Sequence, residues 1–174
     1  MLVAVFGSAA PKPGSSLYEQ GLDLGRRLAE AGFSVMTGGY CGLMEAVSRG
    51  ALEAGGKTIG VTCSDIDAYR PGGPNKWVQE CVQTENLNKR LEVLTRQPDA
   101  FIALPGGIGT LGEITLAQNL MAVGSIPERP LILIGAEWEQ IFKQFYSINH
   151  EYISKQHADM VQFAPDNAAA MLLL

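Results

Sequence analysis

The run Pro105-Gly106-Gly107-Ile108-Gly109-Thr110 places three glycines within four residues, directly after the apolar segment Phe101-Ile102-Ala103-Leu104. Glycine has no Cβ, so backbone N–H groups in such a turn can approach an anion closely. A helix that starts there points its free N–H groups and the positive end of its dipole at the same place. Phosphate is the ligand that suits this geometry, and the Thr110 hydroxyl offers a further donor. The plainer alternative is a tight strand-to-helix turn with Thr110 as N-cap. No Gly-Lys-Ser/Thr follows, so the turn is not a Walker A loop. Gly107-Ile108-Gly109-Thr110-Leu111-Gly112 does satisfy the dinucleotide fingerprint, with Glu137 just beyond Ile134 as its acidic partner. That match is late in the chain and leaves little sequence for a substrate domain.

Two charged side chains have the spacing to act beside that turn. Glu113 follows Thr110 by three residues, which allows either a capping box or a carboxylate held one turn from a bound phosphate. In the second case it can orient water or stabilise positive charge developing on a sugar. Arg90 lies one turn into a helix expected to start near Asn86. An arginine there can grip phosphate oxygens with its planar fork, or it can simply sit on a solvated helix face. Arg96, at the other end of that helix, is expected to be remote.

The elements that must position these residues alternate between strand and helix. Leu2–Phe6, Ser34–Thr37, Lys57–Cys63, Trp77–Val82, Ala100–Leu104 and Pro130–Ile134 read as strands, the last of these being the final clear one. Helices are expected after Ser15 or Ser16 up to Gly32, over Gly42–Ala54, over Asn86–Gln97, and from the glycine turn to about Val123. Weaker helical patterns cover Glu137–Ile148 and Asp166–Leu173, and Ser64–Lys76 reads as a polar loop. The order implies an α/β fold, a Rossmann-like doubly wound parallel sheet with helices on both faces, as a single domain over residues 1–174. Ligands of such sheets sit outside the carboxyl ends of the strands. Gly38–Glu45, Asn86–Arg90 and Gly106–Glu113 should therefore converge there. Gly106, Gly107, Gly109 and Thr110, with the turns Gly7-Ser8 and Gly38-Gly39, are the candidate nucleotide-binding positions.

The bulk properties narrow the function classes. The chain has 174 residues, 47% of them hydrophobic, and a net charge of -5 with no long basic run, so no footprint for nucleic acid is evident. Three cysteines without CxxC spacing argue against a disulfide framework or a zinc site and read as buried free thiols. No metal-ligand cluster stands out, and His150 and His157 read as surface or packing residues. No cofactor is implied. The short apolar N-terminus reads as a strand and not a signal peptide, no stretch approaches membrane-spanning length, and a cytoplasmic setting is expected.

Taken together, the segments resemble a known family. Gly38-Gly39-Tyr40-Cys41-Gly42-Leu43-Met44-Glu45-Ala46-Val47 is similar to the G-G-x-x-G-[LV]-M-x-A-V segment of the LOG ("lonely guy") proteins. Pro105-Gly106-Gly107-Ile108-Gly109-Thr110-Leu111-Gly112-Glu113 matches their P-G-G-x-G-T-x-x-E signature throughout. The resemblance runs from Val3 to about Gly135. It implies a homodimer that cleaves the N-glycosidic bond of nucleoside 5'-monophosphates, releasing free base and ribose 5-phosphate; in cytokinin-activating members the base is an N6-modified adenine. It also implies a catalytic pair, an arginine nine residues before the aspartate of a D-A-F-I strand, here Arg90 before Asp99, and the signature's glutamate, Glu113. Members were long labelled lysine decarboxylases, yet no lysine stands out here as a pyridoxal anchor. The sequence departs from the family at Leu87 (methionine), Leu91 (lysine) and Tyr40 (a third glycine), where Tyr40 can stack on a base or fill space. The expected ligand is an AMP-like nucleotide. The alternative is a non-catalytic carrier, since the wider superfamily includes molybdenum-cofactor carriers. Apolar residues around Leu116–Val123 are the expected dimer contacts.

Overall fold

The computed structural model of the chain describes residues 1–69 and 72–174. Its strands are β1 (Leu2–Phe6), β2 (Ser34–Thr37), β3 (Thr58–Cys63), β4 (Glu80–Thr84), β5 (Ala100–Ala103), β6 (Leu131–Ile134) and β7 (Val161–Ala164). All pair in parallel, in the order β4-β3-β2-β1-β5-β6-β7. The helices are α1 (Ser16–Glu30), α2 (Leu43–Glu53), α3 (Ser64–Tyr69), α4 (Leu87–Arg96), α5 (Ile108–Ala122), α6 (Ala136–Ile148), α7 (Lys155–Asp159) and α8 (Asn167–Met171).

The central strands are apolar on both faces because both faces are covered. Along β1, Ala4 and Phe6 join a core with Phe101, Leu94, Ile114, Met121, Trp138 and Phe142, which brings in α4, α5 and α6. Val3 and Val5 point the other way, to Leu24, Leu28, Leu43, Val47 and Ala170 on α1, α2 and α8. The doubly wound sheet anticipated from the strand–helix alternation is therefore present. On the second face, α1 and α2 approach closely because neither carries a side chain where they cross. A Cβ on Gly25 would lie 2.1 Å from the Val47 carbonyl oxygen, and one on Gly50 2.0 Å from that of Leu22. Larger residues at either point would force the helices apart.

Several boundaries differ from expectation. β7 was not anticipated; it is four residues long, at the sheet's edge, with Val161 and Ala164 buried and Gln162 exposed between them. The fourth strand begins at Glu80, not Trp77, because Asn75 Oδ1 accepts the Trp77 N–H (3.0 Å) and holds that residue in a turn. The first six residues of the expected Ser64–Lys76 loop form α3, while Arg70 and Pro71 of that loop lie outside the described residues. Cys63 is buried as expected, but Cys41 and Cys81 are exposed, the first in a turn and the second on edge strand β4.

The chain's direction of winding reverses between β1 and β5. β1 is followed by strands added on one side, β5 by strands added on the other. The Ser8 N–H donates to the Pro105 carbonyl (3.1 Å), tying together the two loops that leave these strands. In sheets of this kind ligands bind at such a reversal, outside the carboxyl ends of the strands.

Candidate active site

A cleft of about 430 Å³ opens at the reversal. Gly7 and Ser8 reach it from the loop after β1, Gly38 and Tyr40 from the turn after β2, and Arg90 from α4. Gly107, Gly109, Thr110 and Glu113 reach it from the start of α5. The three segments expected to converge do so. Two of the expected positions serve the cleft from behind. Gly39 turns the chain with φ +80, and its carbonyl accepts the N–H and side-chain amide of Asn75 (2.8 and 3.0 Å). Gly106 leaves room for Thr110, whose hydroxyl oxygen lies 2.2 Å from where a Cβ would be.

The start of α5 corrects the capping expectation. Gly107, extended at φ -100, is the N-cap, and no side chain caps the helix. Thr110 is thus already inside the helix, and Glu113 lies more than a turn beyond the Gly107 N-cap, too far to close a capping box. The first N–H groups of a helix have no intrahelical acceptor, and here they face the cleft. A Cβ on Gly107 or Gly109 would meet nothing within 4 Å, and neither has a positive φ. Packing within the chain does not ask for glycine at these two positions. Open space in front of unclaimed N–H groups is what a tightly bound anion would fill.

Arg90 is not on a solvated face; it is 5% exposed. Asn86 caps α4 by accepting the Lys89 N–H (3.0 Å), which fixes where the helix begins and aims Arg90 inward. Its Nε donates to the Val61 carbonyl (2.8 Å), Nη2 to the Gly38 carbonyl (3.2 Å) and Nη1 to Glu113 Oε1 (3.4 Å). The guanidinium also lies 5.8 Å from the centre of the Tyr40 ring. A Cβ on Gly38 would stand 1.9 Å from Nη2, so glycine there makes room for the arginine. Arg96 is remote, as expected, and contacts Ser125.

Glu113 is 8% exposed. Burial pushes its carboxyl up to about 7, with Arg90 pulling the other way through charge and hydrogen bonding. A carboxyl poised there can hold or release a proton near neutrality, as general acid–base chemistry requires. Tyr40 is buried beside the pair. Its phenol is pushed up to about 12, mainly by burial, and serves as a neutral hydrogen-bonding group.

The wall opposite α5 was not anticipated. Ile66 and Tyr69 of α3 line the cleft there, as does Met44 at the start of α2. The polar sequence around α3 gave no apolar pattern to find it by. Glu137, the acidic partner required for a dinucleotide site, lies in the first turn of α6 and does not line the cleft. Among the described residues, no three His, Cys, Asp or Glu side chains gather as metal ligands.

The family described as "possible lysine decarboxylase" matches residues 44–174. The cytokinin riboside 5'-monophosphate phosphoribohydrolase of Mycobacterium tuberculosis is 32% identical over 133 residues, covering 76% of this chain and 69% of that protein. The enzyme of the same name from Rhodococcoides fascians is 32% identical over 134 residues, covering 76% and 67%. Among solved structures, the molybdenum cofactor binding protein of Rippkaea orientalis shares the fold, with a TM-score of 0.76, 24% identity and coverage of 99% of this chain and 93% of that one. The molybdenum cofactor carrier protein of Chlamydomonas reinhardtii has a TM-score of 0.74 and 28% identity, covering 98% and 93%. Among the described residues no lysine lines the cleft. The chain belongs to the LOG family, on the strength of these matches.

Proposed function

We propose that this protein hydrolyses the N-glycosidic bond of a purine nucleoside 5'-monophosphate, releasing base and ribose 5-phosphate. The observation that carries the reading is the buried Arg90–Glu113 pair facing the uncapped start of α5. The 5'-phosphate binds the N–H groups of the Gly107–Thr110 turn, with Gly106 leaving space for the Thr110 hydroxyl. Ser8 and the Gly7 and Gly38 turns close the sides, and Gly39 sets the course of the second turn. Arg90 holds the substrate and the glutamate in register. As the base departs, the ribose gains oxocarbenium character, and the ionised Glu113 carboxylate stabilises it. Water attacks C1' as the C1'–N bond breaks; Glu113 takes the water's proton, the departing base nitrogen takes one from solvent, and Glu113 then returns its proton to solvent, so that one water is consumed and the carboxylate restored. The chemistry of the pair needs no cofactor or metal. Removing one such general base costs about 10²–10⁴-fold.

Base release from AMP by the wild type and by Glu113→Gln is the test. Release by the wild type, lost in the variant, supports the reading; binding without release in the wild type overturns it. That second outcome fits a carrier for a phosphorylated ligand, a reading favoured by the likeness to the Chlamydomonas carrier protein. The whole chain, 1–174, acts in either case as one nucleotide-binding unit.

We further propose a homodimer. α5 spreads its apolar residues round its circumference instead of gathering them on one face, which suits a helix covered on more than one side. A groove among Leu111, Thr115, Ile141, Phe142 and Phe145 continues that surface, with Ile141 and Phe145 about half exposed. A monomer in sedimentation at micromolar concentration overturns this. Among the described residues no helix is long and apolar enough to cross a membrane, and three free thiols support a cytoplasmic setting.

A further inference from the structure

We propose that the Tyr40 hydroxyl is a positioning group that fixes α3, so that Ile66 and Tyr69 form the wall against which the nucleotide's base lies. The inference rests on the nucleotide reading above and adds to it how the base is recognised.

α3 has six residues and buries none of them. A helix that short has no stability of its own, so its place must be set by what ties it down. Tyr40 supplies the central tie. Its oxygen accepts the Cys63 N–H at the end of β3 (3.0 Å) and its proton goes to Asp67 Oδ1 on α3 (2.9 Å), with the Cys63 carbonyl as the other available acceptor (3.2 Å). The second Asp67 oxygen accepts from the Gln83 amide (3.2 Å), and Asp65 accepts the Leu87 N–H at the start of α4 (2.8 Å). The polar side of α3 is thereby bound to β3, β4 and α4, while Ile66 and Tyr69 line the cleft.

The resulting cleft is divided by chemistry. One side offers the unclaimed N–H groups of α5 and the buried arginine, which suit a phosphate. The other offers an aromatic ring and a branched alkyl group, which suit a flat heteroaromatic ring. A nucleoside monophosphate has both parts; ribose 5-phosphate has only the first. Loosening α3 should therefore weaken one ligand and spare the other.

The test compares binding of AMP and of ribose 5-phosphate by calorimetry in the wild type, Tyr40→Phe, Asp67→Ala, Asp67→Asn and the double variant Tyr40→Phe/Asp67→Ala. Expected is an AMP affinity about tenfold weaker in Tyr40→Phe and in Asp67→Ala, the scale of one lost base–aromatic stack, with ribose 5-phosphate affinity unchanged. The double variant should be no weaker than either single one, because both remove the same bond. Asp67→Asn, whose amide oxygen still accepts from the phenol although its NH2 cannot accept from Gln83, should bind AMP distinctly more tightly than Asp67→Ala does. In turnover, KM for AMP should rise while kcat falls by less. Should Tyr40→Phe fail to fold, the two Asp67 variants decide the matter alone. Equal weakening of both ligands, or unchanged AMP binding in Asp67→Ala, overturns the inference and leaves the nucleotide reading standing. If the wild type binds neither ligand, both fall together.

Discussion

Replacing Glu113 by glutamine should cut turnover by about 10²–10⁴-fold and make the variant gain in stability on the wild type as pH rises towards neutrality. Burial raises this carboxyl from the ordinary glutamate value of 4.5 to about 7. Between those two values the unfolded chain releases the proton while the folded protein keeps it. Folding stability therefore falls as pH rises through that interval, by about 1.4 kcal/mol per pH unit, and levels off above pH 7. Glutamine does not titrate, so the variant lacks this slope. It does leave Arg90 without a charged partner, but that cost is the same at every pH and only displaces the curve. Measurements from pH 5.5 to 8 stay clear of the isoelectric point near 5.0. Over that range the stability difference between variant and wild type should grow in the variant's favour by about 2 kcal/mol. For a domain of this size that corresponds to a melting-temperature gap widening by roughly 4–8 °C. Other carboxylates titrate alike in both proteins and cancel. Urea melts at four pH values, read by far-UV circular dichroism, measure the difference. Parallel stability–pH curves would show that Glu113 is not held protonated by burial, and the argument for its role as a base near neutrality would fail with it.

Three further outcomes follow from the same geometry. The rate of base release, measured as kcat/KM for AMP, should climb as pH rises through about 7 and then level off, because Glu113 must be ionised to act; a flat profile from pH 5.5 to 8 refutes this. Gly38→Ala puts a methyl group 1.9 Å from Arg90 Nη2 and must push the guanidinium aside, so kcat should drop by about 10²-fold; unchanged kcat would mean that the arginine's placement is unimportant. Gly109→Ala meets open space in the first turn of α5 and should leave the protein equally stable or up to about 1 kcal/mol more stable. It should nonetheless reduce the thermal stabilisation by AMP, and an undiminished shift would argue against phosphate binding at that turn.

Much of the site was legible because its signals are local. The glycine run, the Asn86 cap and the counting of strands place Arg90, Glu113 and the glycine turn at one edge without any tertiary information. What failed were readings in which a residue's partner lies far away in sequence. Thr110 and Glu113 have capping-box spacing, but Gly107 starts the helix earlier and the glutamate turns to an arginine 23 residues distant. Arg90 carries a charge and so reads as exposed, yet carbonyls from β3 and the turn after β2 take up two arms of its fork. Tyr40 was ambiguous between stacking and filling because its bonds to Cys63 and Asp67 span more than twenty residues. α3 and β7 are short and nearly featureless as sequence. Their structure comes from what they dock against, a case of tertiary context overriding weak local preference.

Because β1 lies at the middle of the sheet, the fold has two wings that meet along one seam. The wing reaching out to β4 is followed by the helix that carries the arginine; the wing that begins with β5 contributes the glutamate. A ribosome delivering this chain in order finishes the first wing well before the second exists, and only emergence of Glu113 brings arginine and carboxylate face to face. The Arg90–Glu113 pair is thus assembled only when the two halves have closed on each other, and cutting the chain after α4 would leave two pieces, neither of which holds both groups.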